Sequence, residues 1–261
     1  MGFNSFHNSI ANPAETYYRW SGGLKNVQLP DGTEAKQLKG ELVFFNGEEM
    51  ETTELPFSFC VLEQTSSITG FSPAGNTRFY SNEVTSFDEP MKVTRRTDAG
   101  SEVIAEGHYQ SIKGNLPEGC KFQTNLYIYN PANDKIERLN LKGSALSAWI
   151  EFGQKNKGIY EHVITMEAGE KKTVGTVDFL PPKFSIGQRY TDSDMAKLVE
   201  KDKVVVEYLK DKREMNLKGA TEVDNDVIID QTPASYEGEQ SQDTSASPDN
   251  NQEINLTEIP F

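Results

Sequence analysis

Cysteine and histidine are scarce: the 261 residues include two Cys and three His. Cys60 and Cys120 cannot build a disulfide framework, and each reads as a small buried hydrophobe. A reducing intracellular compartment is the expectation. His7, His108 and His162 lie far apart without metal-ligand spacing, so no zinc site, no other metal and no cofactor is expected. No apolar run reaches 18 residues, which argues against a membrane-spanning helix. The start, Met1-Gly2-Phe3-Asn4-Ser5-Phe6, has no basic segment ahead of an apolar one, so no secretory leader is expected. Its loose match to an acylation signal has no second membrane signal beside it. Nucleotide-binding motifs are missing too. Gly70–Asn76 lacks the Lys-Ser/Thr end of a phosphate-binding loop, and no G-x-G-x-x-G opens a helix.

Positive charge is the other shortage. Lys+Arg number 26 against 40 Asp+Glu, a net charge of −14. Spread evenly, that charge would oppose a nucleic-acid partner. It is not spread evenly. Residues 221–261 hold ten acidic residues and no Lys or Arg, and residues 1–76 hold nine acids and four bases. The stretch 77–220 is therefore close to neutral. Residues 231–255 are mostly Ser, Gln, Asn, Asp, Glu, Pro and Gly; they cannot bury enough apolar surface to offset ordering entropy and read as disordered. After them comes Glu253-Ile254-Asn255-Leu256-Thr257-Glu258-Ile259-Pro260-Phe261. A solvating tail has no use for Ile-Pro-Phe. A docking ligand does: an aromatic ring for a pocket, a proline that limits conformational entropy, and carboxylates for Arg or Lys.

The body reads as all-β. Turn signals recur every 8–15 residues, among them Pro30-Asp31-Gly32, Asn46-Gly47, Asp98-Ala99-Gly100, Pro117-Glu118-Gly119 and Asn130-Pro131-Ala132-Asn133, with β-branched and aromatic runs between them. The spacing predicts a sandwich or small barrel with no βαβ rhythm. Expected strands cover 37–45, 57–64, 67–71, 77–80, 91–96, 102–110, 120–129, 159–167 and 171–179. Ala145, Leu146, Ala148, Trp149 and Phe152 fit helical spacing and predict a short internal helix over 141–154. Residues 191–214 form the clearest helix, with Thr191 or Asp192 as its cap and Asp194 at the positive end of its dipole. The expected division is an N-terminal arm at 1–30, a binding domain at 31–190, a helix at 191–216 and an acidic tail at 217–261.

One strand is especially informative. In Lys121–Tyr129, alternation puts Phe122, Leu126 and Ile128 on one face. Lys121, Gln123, Asn125, Tyr127 and Tyr129 fall on the other, a set suited to single-stranded nucleic acid: rings stack on bases, amides bond base or sugar, and the cation meets phosphate. Arg78-Phe79-Tyr80 and Lys92-Val93-Thr94-Arg95-Arg96 interleave charge and aromatics in the same way. Lys113 near Tyr109, Lys142 near Trp149, and Arg19-Trp20 are weaker pieces. Arg78 and Arg95 could instead pair with Glu83 or Asp88. The expected nucleic-acid contacts are Arg78, Phe79, Tyr80, Lys92, Arg95, Lys113, Lys121, Tyr127 and Tyr129. A metal-dependent nuclease would need clustered carboxylates with a nearby lysine; Glu41, Asp178 and Lys183 are the nearest set, with nothing to single them out.

Thr257-Glu258-Ile259-Pro260-Phe261, following a long acidic linker, resembles the C-terminal tip of bacterial single-stranded DNA-binding proteins. Four other pieces resemble the larger phage- and plasmid-type single-stranded DNA-binding proteins: Leu55–Leu62, Ile68–Phe71, Tyr80–Val84, and Lys142–Ala145 leading to Trp149–Phe152. The resemblance implies an elaborated OB-fold barrel, no catalysis, and a role coating single strands in DNA replication, recombination and repair. It also implies that Glu258, Ile259, Pro260 and Phe261 recruit partner enzymes, and that the protein works in the cytoplasm of a bacterial host, as a bacteriophage product or a cellular one. Membrane partners are not expected, and a homo-oligomer stays open. The alternatives are a recombination mediator or strand-annealing protein, a nuclease, and an adaptor that binds only protein.

Overall fold

A computed structural model describes residues 11–28, 33–47, 49–73 and 76–217. Strands β1 (Tyr17–Ser21), β2 (Leu24–Gln28), β3 (Glu34–Leu38), β4 (Glu41–Phe45) and β5 (Met50–Thr53) lead into a central strand, β6 (Phe57–Ser72). Then come β7 (Thr77–Ser81), β8 (Met91–Thr97), β9 (Gly100–Gly107), a short helix α1 (Tyr109–Ile112), β10 (Cys120–Asn130), β11 (Lys135–Lys142) and α2 (Gly143–Lys155). The chain continues through β12 (His162–Ala168), β13 (Lys172–Val174), β14 (Val177–Phe179) and β15 (Pro182–Arg189) to α3 (Asp192–Leu217).

The main sheet runs β5-β4-β1-β11-β10-β6-β7-β8-β9. Every pairing on this path is antiparallel except β1 with β11. The long strand β6 serves two partners in succession: Phe57–Phe59 pair with β12, and Cys60–Gly70 pair with β10. Gly70 lets the backbones close up there, because a Cβ at that position would stand 2.3 Å from the carbonyl oxygen of Gly119. The expectation of a closed barrel is not met among the described residues: the path runs open from β5 to β9. The expected arm also gives way, since β1 lies inside the sheet between β4 and β11.

Strand alternation builds the core on one face. Tyr18, Trp20, Leu42, Phe59, Val61, Phe122, Leu126, Ile128, Leu139 and Leu141 are all buried in one cluster. Helix α2 closes it with Ala145, Leu146, Trp149, Ile150 and Phe152, on the helical spacing read from the sequence. Trp149 is fully buried; its ring meets Phe184 edge-on at 5.1 Å, and its Nε1–H donates to Gln64 Oε1 at 2.9 Å. Every polar atom of that ring is therefore satisfied inside the core.

The strands expected at 57–64 and 67–71 are one continuous strand, and the run expected at 37–45 breaks between β3 and β4. Strand β11 was not expected at all. Lys-Ile-Glu-Arg-Leu-Asn-Leu-Lys reads as a charged surface segment, yet Glu137, Arg138 and Asn140 are buried in mid-sheet. Glu137 accepts hydrogen bonds from Tyr18 Oη (2.9 Å), Asn130 Nδ2 (2.9 Å) and Asn133 Nδ2 (3.0 Å), so its burial is compensated.

Trp149→Ala is expected to destabilise the chain by roughly 3–5 kcal/mol, read as a shift in the urea midpoint. Trp149→Phe keeps the ring packing and removes the donor to Gln64 Oε1, so it is expected to cost about 1–3 kcal/mol.

Candidate nucleic-acid interface

The face opposite the core is polar over much of its area. Residues paired in register share a face, so the pairings assemble it row by row. One row runs Lys142–Gln123–Ser67 across β11, β10 and β6. The next runs Lys121–Thr69–Tyr80–Thr94 across β10, β6, β7 and β8. A third runs Phe71–Arg78–Arg96. Lys92 lies two residues before Thr94, on the same face. At about 4.8 Å per strand, Lys121 to Thr94 spans roughly 15 Å, and successive rows stand about 7 Å apart.

This patch gathers Lys121, Lys142, Arg78, Arg96 and Lys92 with the rings of Tyr80 and Phe71. Lys121 and Lys92 are exposed; Arg78, Tyr80, Phe71, Arg96 and Lys142 are half-buried. Among the described residues Arg78, Lys92 and Lys121 make no ion pair. Across the strand pairings Lys121 stands opposite Thr69 and Arg78 stands between Phe71 and Arg96, while Glu106 enters at the β9 edge, opposite Lys92.

The other expected residues fall elsewhere. Phe79 and Arg95 pair with each other on the core side of the sheet. The Phe79 ring is buried and cannot stack on a base, and Arg95 forms an ion pair with Glu102. Lys113 is exposed, but it sits in the turn Lys113–Asn115 after α1, off the sheet. Gln123 and Asn125 lie on the expected face but turn inward: Gln123 Nε2 donates to Asn125 Oδ1, and Asn125 Nδ2 donates to Ser67 Oγ at 3.1 Å and Thr65 Oγ1 at 3.3 Å. These amides hold β10 to β6. Glu258, Ile259, Pro260 and Phe261 lie outside the described residues.

Tyr127 and Tyr129 are the largest correction. They occupy the polar face, as alternation requires, but helix α3 lies over them. Tyr127 is fully buried and Tyr129 is 6% exposed, packed with Cys60, Leu62, Leu198, Val205 and Tyr208. The rings of Tyr127 and Tyr208 meet edge-on at 6.4 Å. Helix α3 begins on a reciprocal cap: Asp194 N–H donates to Thr191 Oγ1 at 3.2 Å, and Thr191 N–H donates to Asp194 Oδ2 at 3.1 Å. Lys197 and Lys201 then reach Asp134 Oδ1 at 3.0 and 3.3 Å, with their ammonium groups over the Tyr129 ring. Those lysines and the Tyr129 hydroxyl hold the Asp134 carboxyl down to about 2.

Glu83 stands at the margin of the covered area. Ser66 and Val84 exchange backbone hydrogen bonds of 2.8 and 2.9 Å, which pins the loop after β7 onto β6 and aims Glu83 across the face. Its carboxylate accepts from Thr65 Oγ1 (2.7 Å), Tyr127 Oη (3.0 Å) and Arg138 Nη1 (2.8 Å). Burial works to raise its pKa, but Arg138, Lys212 and these hydrogen bonds outweigh burial and hold it below the usual carboxylate range. The Tyr127 hydroxyl is pushed well up, first by burial and then by the charge of Glu83.

Sequence reasoning undervalued Arg96 and Lys142 and missed Phe71. The signal for Arg96 was present in the Lys92–Arg96 run, but only strand register shows that it faces the patch and Arg95 does not. Glu41, Asp178 and Lys183 are each engaged elsewhere: Glu41 with Lys25 and Lys39, Asp178 with Lys171, and Lys183 with Glu167. Among the described residues no group of three or more His, Cys, Asp or Glu side chains is placed to hold a metal ion. Among the described residues no helix is long and apolar enough to cross a membrane. No protein-family model, curated protein or solved structure matches the chain.

Glu83→Gln leaves the Arg138 guanidinium buried without its counter-charge and is expected to cost roughly 3–5 kcal/mol in urea unfolding. Because the folded state lowers the Glu83 pKa, its contribution is present above the ordinary carboxylate pKa of about 4 and fades as pH falls through the lowered value. Stability measured from pH 6 downward is expected to fall less steeply in Glu83→Gln than in the unaltered chain.

Proposed function

We propose that this protein binds single-stranded DNA without sequence preference, through the patch of Lys121, Arg78, Lys92, Arg96, Lys142, Tyr80 and Phe71. The observation that carries the reading is the placement of cations and two rings on one sheet face, with Arg78, Lys92 and Lys121 outside any ion pair among the described residues, in a chain whose net charge is −14. Tyr80 and Phe71 offer stacking platforms, while the cations track the backbone. Phosphate contacts from the cations carry no sequence information, and stacking on the rings tolerates any base. The finer assignment to an elaborated OB fold belongs to the same reading. It is supported by β6, one long strand shared between the main sheet and the β12–β15 pair. The acidic segment 221–261 competes with phosphate for the patch, and Glu258-Ile259-Pro260-Phe261 recruits enzymes of replication, recombination and repair.

Fluorescence anisotropy with labelled oligo(dT) and with a duplex of equal length tests the reading: binding of the single strand, weakening with salt as counterions are released, is expected, and preference for duplex would overturn it. Tyr80→Ala is expected to cost about 1–3 kcal/mol of oligo(dT) affinity without changing the salt slope. Lys121→Ala is expected to lower that slope by about one. Removing residues 221–261 is expected to keep or tighten DNA binding. Loss of Phe261 alone is expected to leave oligo(dT) affinity intact and abolish partner capture in a pull-down.

A further inference from the structure

Helix α3 covers the polar face with little apolar purchase. Of its 26 residues, only Leu198, Val205 and Tyr208 are buried apolar side chains among those described. Its ties to the sheet include ion pairs at the margin, Lys197 and Lys201 to Asp134 and Arg213 to Glu89, a hydrogen bond from Arg213 to Thr85, and the same two lysines over the Tyr129 ring. Met195, Val199, Val204 and Val206 point away and stay exposed.

Inside the contact, hydrogen bonding is incomplete. Asp202 Oδ1 and Arg138 Nε are buried with no hydrogen-bond partner among the described residues. A buried polar atom left unpaired weakens the state that buries it. The contact also sets like charges together. Burial first, and then the nearby charge of Asp202, hold the Glu63 carboxyl above its ordinary range, and burial does the same to Asp202. These features mark α3 as an element whose release costs less than its length suggests.

What lies beneath α3 is chemically continuous with the open patch. Tyr127 and Tyr129 follow Lys121 and Gln123 at two-residue spacing on β10, and Arg138 pairs with Tyr127 in register from β11. We propose that α3 is a displaceable cover over the second half of one binding face: a single strand longer than the open patch can hold releases α3 and continues onto Tyr127, Tyr129 and Arg138. On release, two more rings become stacking platforms, Arg138 exchanges Glu83 for phosphate, and Glu63 and Asp202 separate. The inference rests on the single-strand reading above.

Cys60 provides a built-in reporter. It is 4% exposed, packed with Leu198, Val205 and Tyr208, and close to Asp194 in the first turn of α3. In the full chain carrying Cys120→Ser, Cys60 is the sole thiol, and its labelling rate by a disulfide reagent reads α3 release. Trp20 and Trp149, the chain's two tryptophans, are buried in the core on the opposite side of the sheet, so an unshifted tryptophan emission shows that the core stays folded.

An oligo(dT) of about sixteen nucleotides is expected to raise the Cys60 labelling rate about ten-fold or more with emission unshifted, and one of about four nucleotides to bind without raising it. Glu63→Gln, which removes the like charge, is expected to slow Cys60 labelling in DNA-free protein several-fold and to weaken binding of the longer oligonucleotide only. A bound long oligonucleotide that leaves the Cys60 rate unchanged overturns the cover and leaves the single-strand reading standing. So does labelling that rises only together with a shift in tryptophan emission, or a Glu63→Gln rate equal to that of its parent. Failure of every oligo(dT) to bind overturns the single-strand reading itself.

Discussion

The contact between Glu83 and Arg138 underlies the arrangement of the sheet. A guanidinium carried into the middle of a sheet face must find an anion, because an unpaired buried charge costs far more than the pair gains. The anion comes from the Asn82-Glu83-Val84 loop, held in place by the backbone bridge between Ser66 and Val84. With that partner supplied, β11 can lie at the centre of the sheet, antiparallel to β10 and parallel to β1. Glu137 solves the same problem on the opposite face with Tyr18, Asn130 and Asn133. The two adjacent charges of one strand are thus buried on opposite sides, each with its own set of partners.

The same contact divides the polar face. Beyond Glu83, toward β12, α3 lies on Tyr127 and Tyr129, and carboxylates are frequent: Glu63, Glu83, Asp134 and Asp202. On the other side, Lys121, Arg78, Arg96 and Lys142 stand around Tyr80 and Phe71. The division is electrostatic as well as steric, and it places cations and rings where a polyanionic strand meets least repulsion. It also leaves two further tyrosines two and three strand repeats beyond Gln123 on β10, under a helix tied down by ion pairs and three buried apolar side chains.

Much of the fold was legible in residues with one dominant preference. Trp149 and its neighbours at helical spacing marked α2, and Thr191 with Asp194 marked the start of α3. Phe122, Leu126 and Ile128 identified the core face of β10 before any partner strand was known. Strand β11 was illegible, because Glu137 and Arg138 read as solvent-facing until Tyr18 and Glu83 appear beside them. The break between β3 and β4, the continuity of β6 and the open sheet path were likewise outside the reach of local pattern, since pairing partners decide where a strand stops.

By itself, the sequence determined which residues of a strand share a face, where the helices begin, and that the negative charge is concentrated in 221–261. Those properties follow from the period of two in a strand, the period of 3.6 in a helix, and composition. Tertiary structure alone decided which polar face stays open. Tyr127 and Tyr129 alternate with core residues in the manner of solvent-facing rings, yet a helix more than sixty residues further along the chain covers them. Arg95 and Arg96 are adjacent in sequence, but register sends Arg95 to Glu102 and Arg96 to the patch. Long-range pairing and the docking of α3 set these outcomes, and neither leaves a trace in the local sequence.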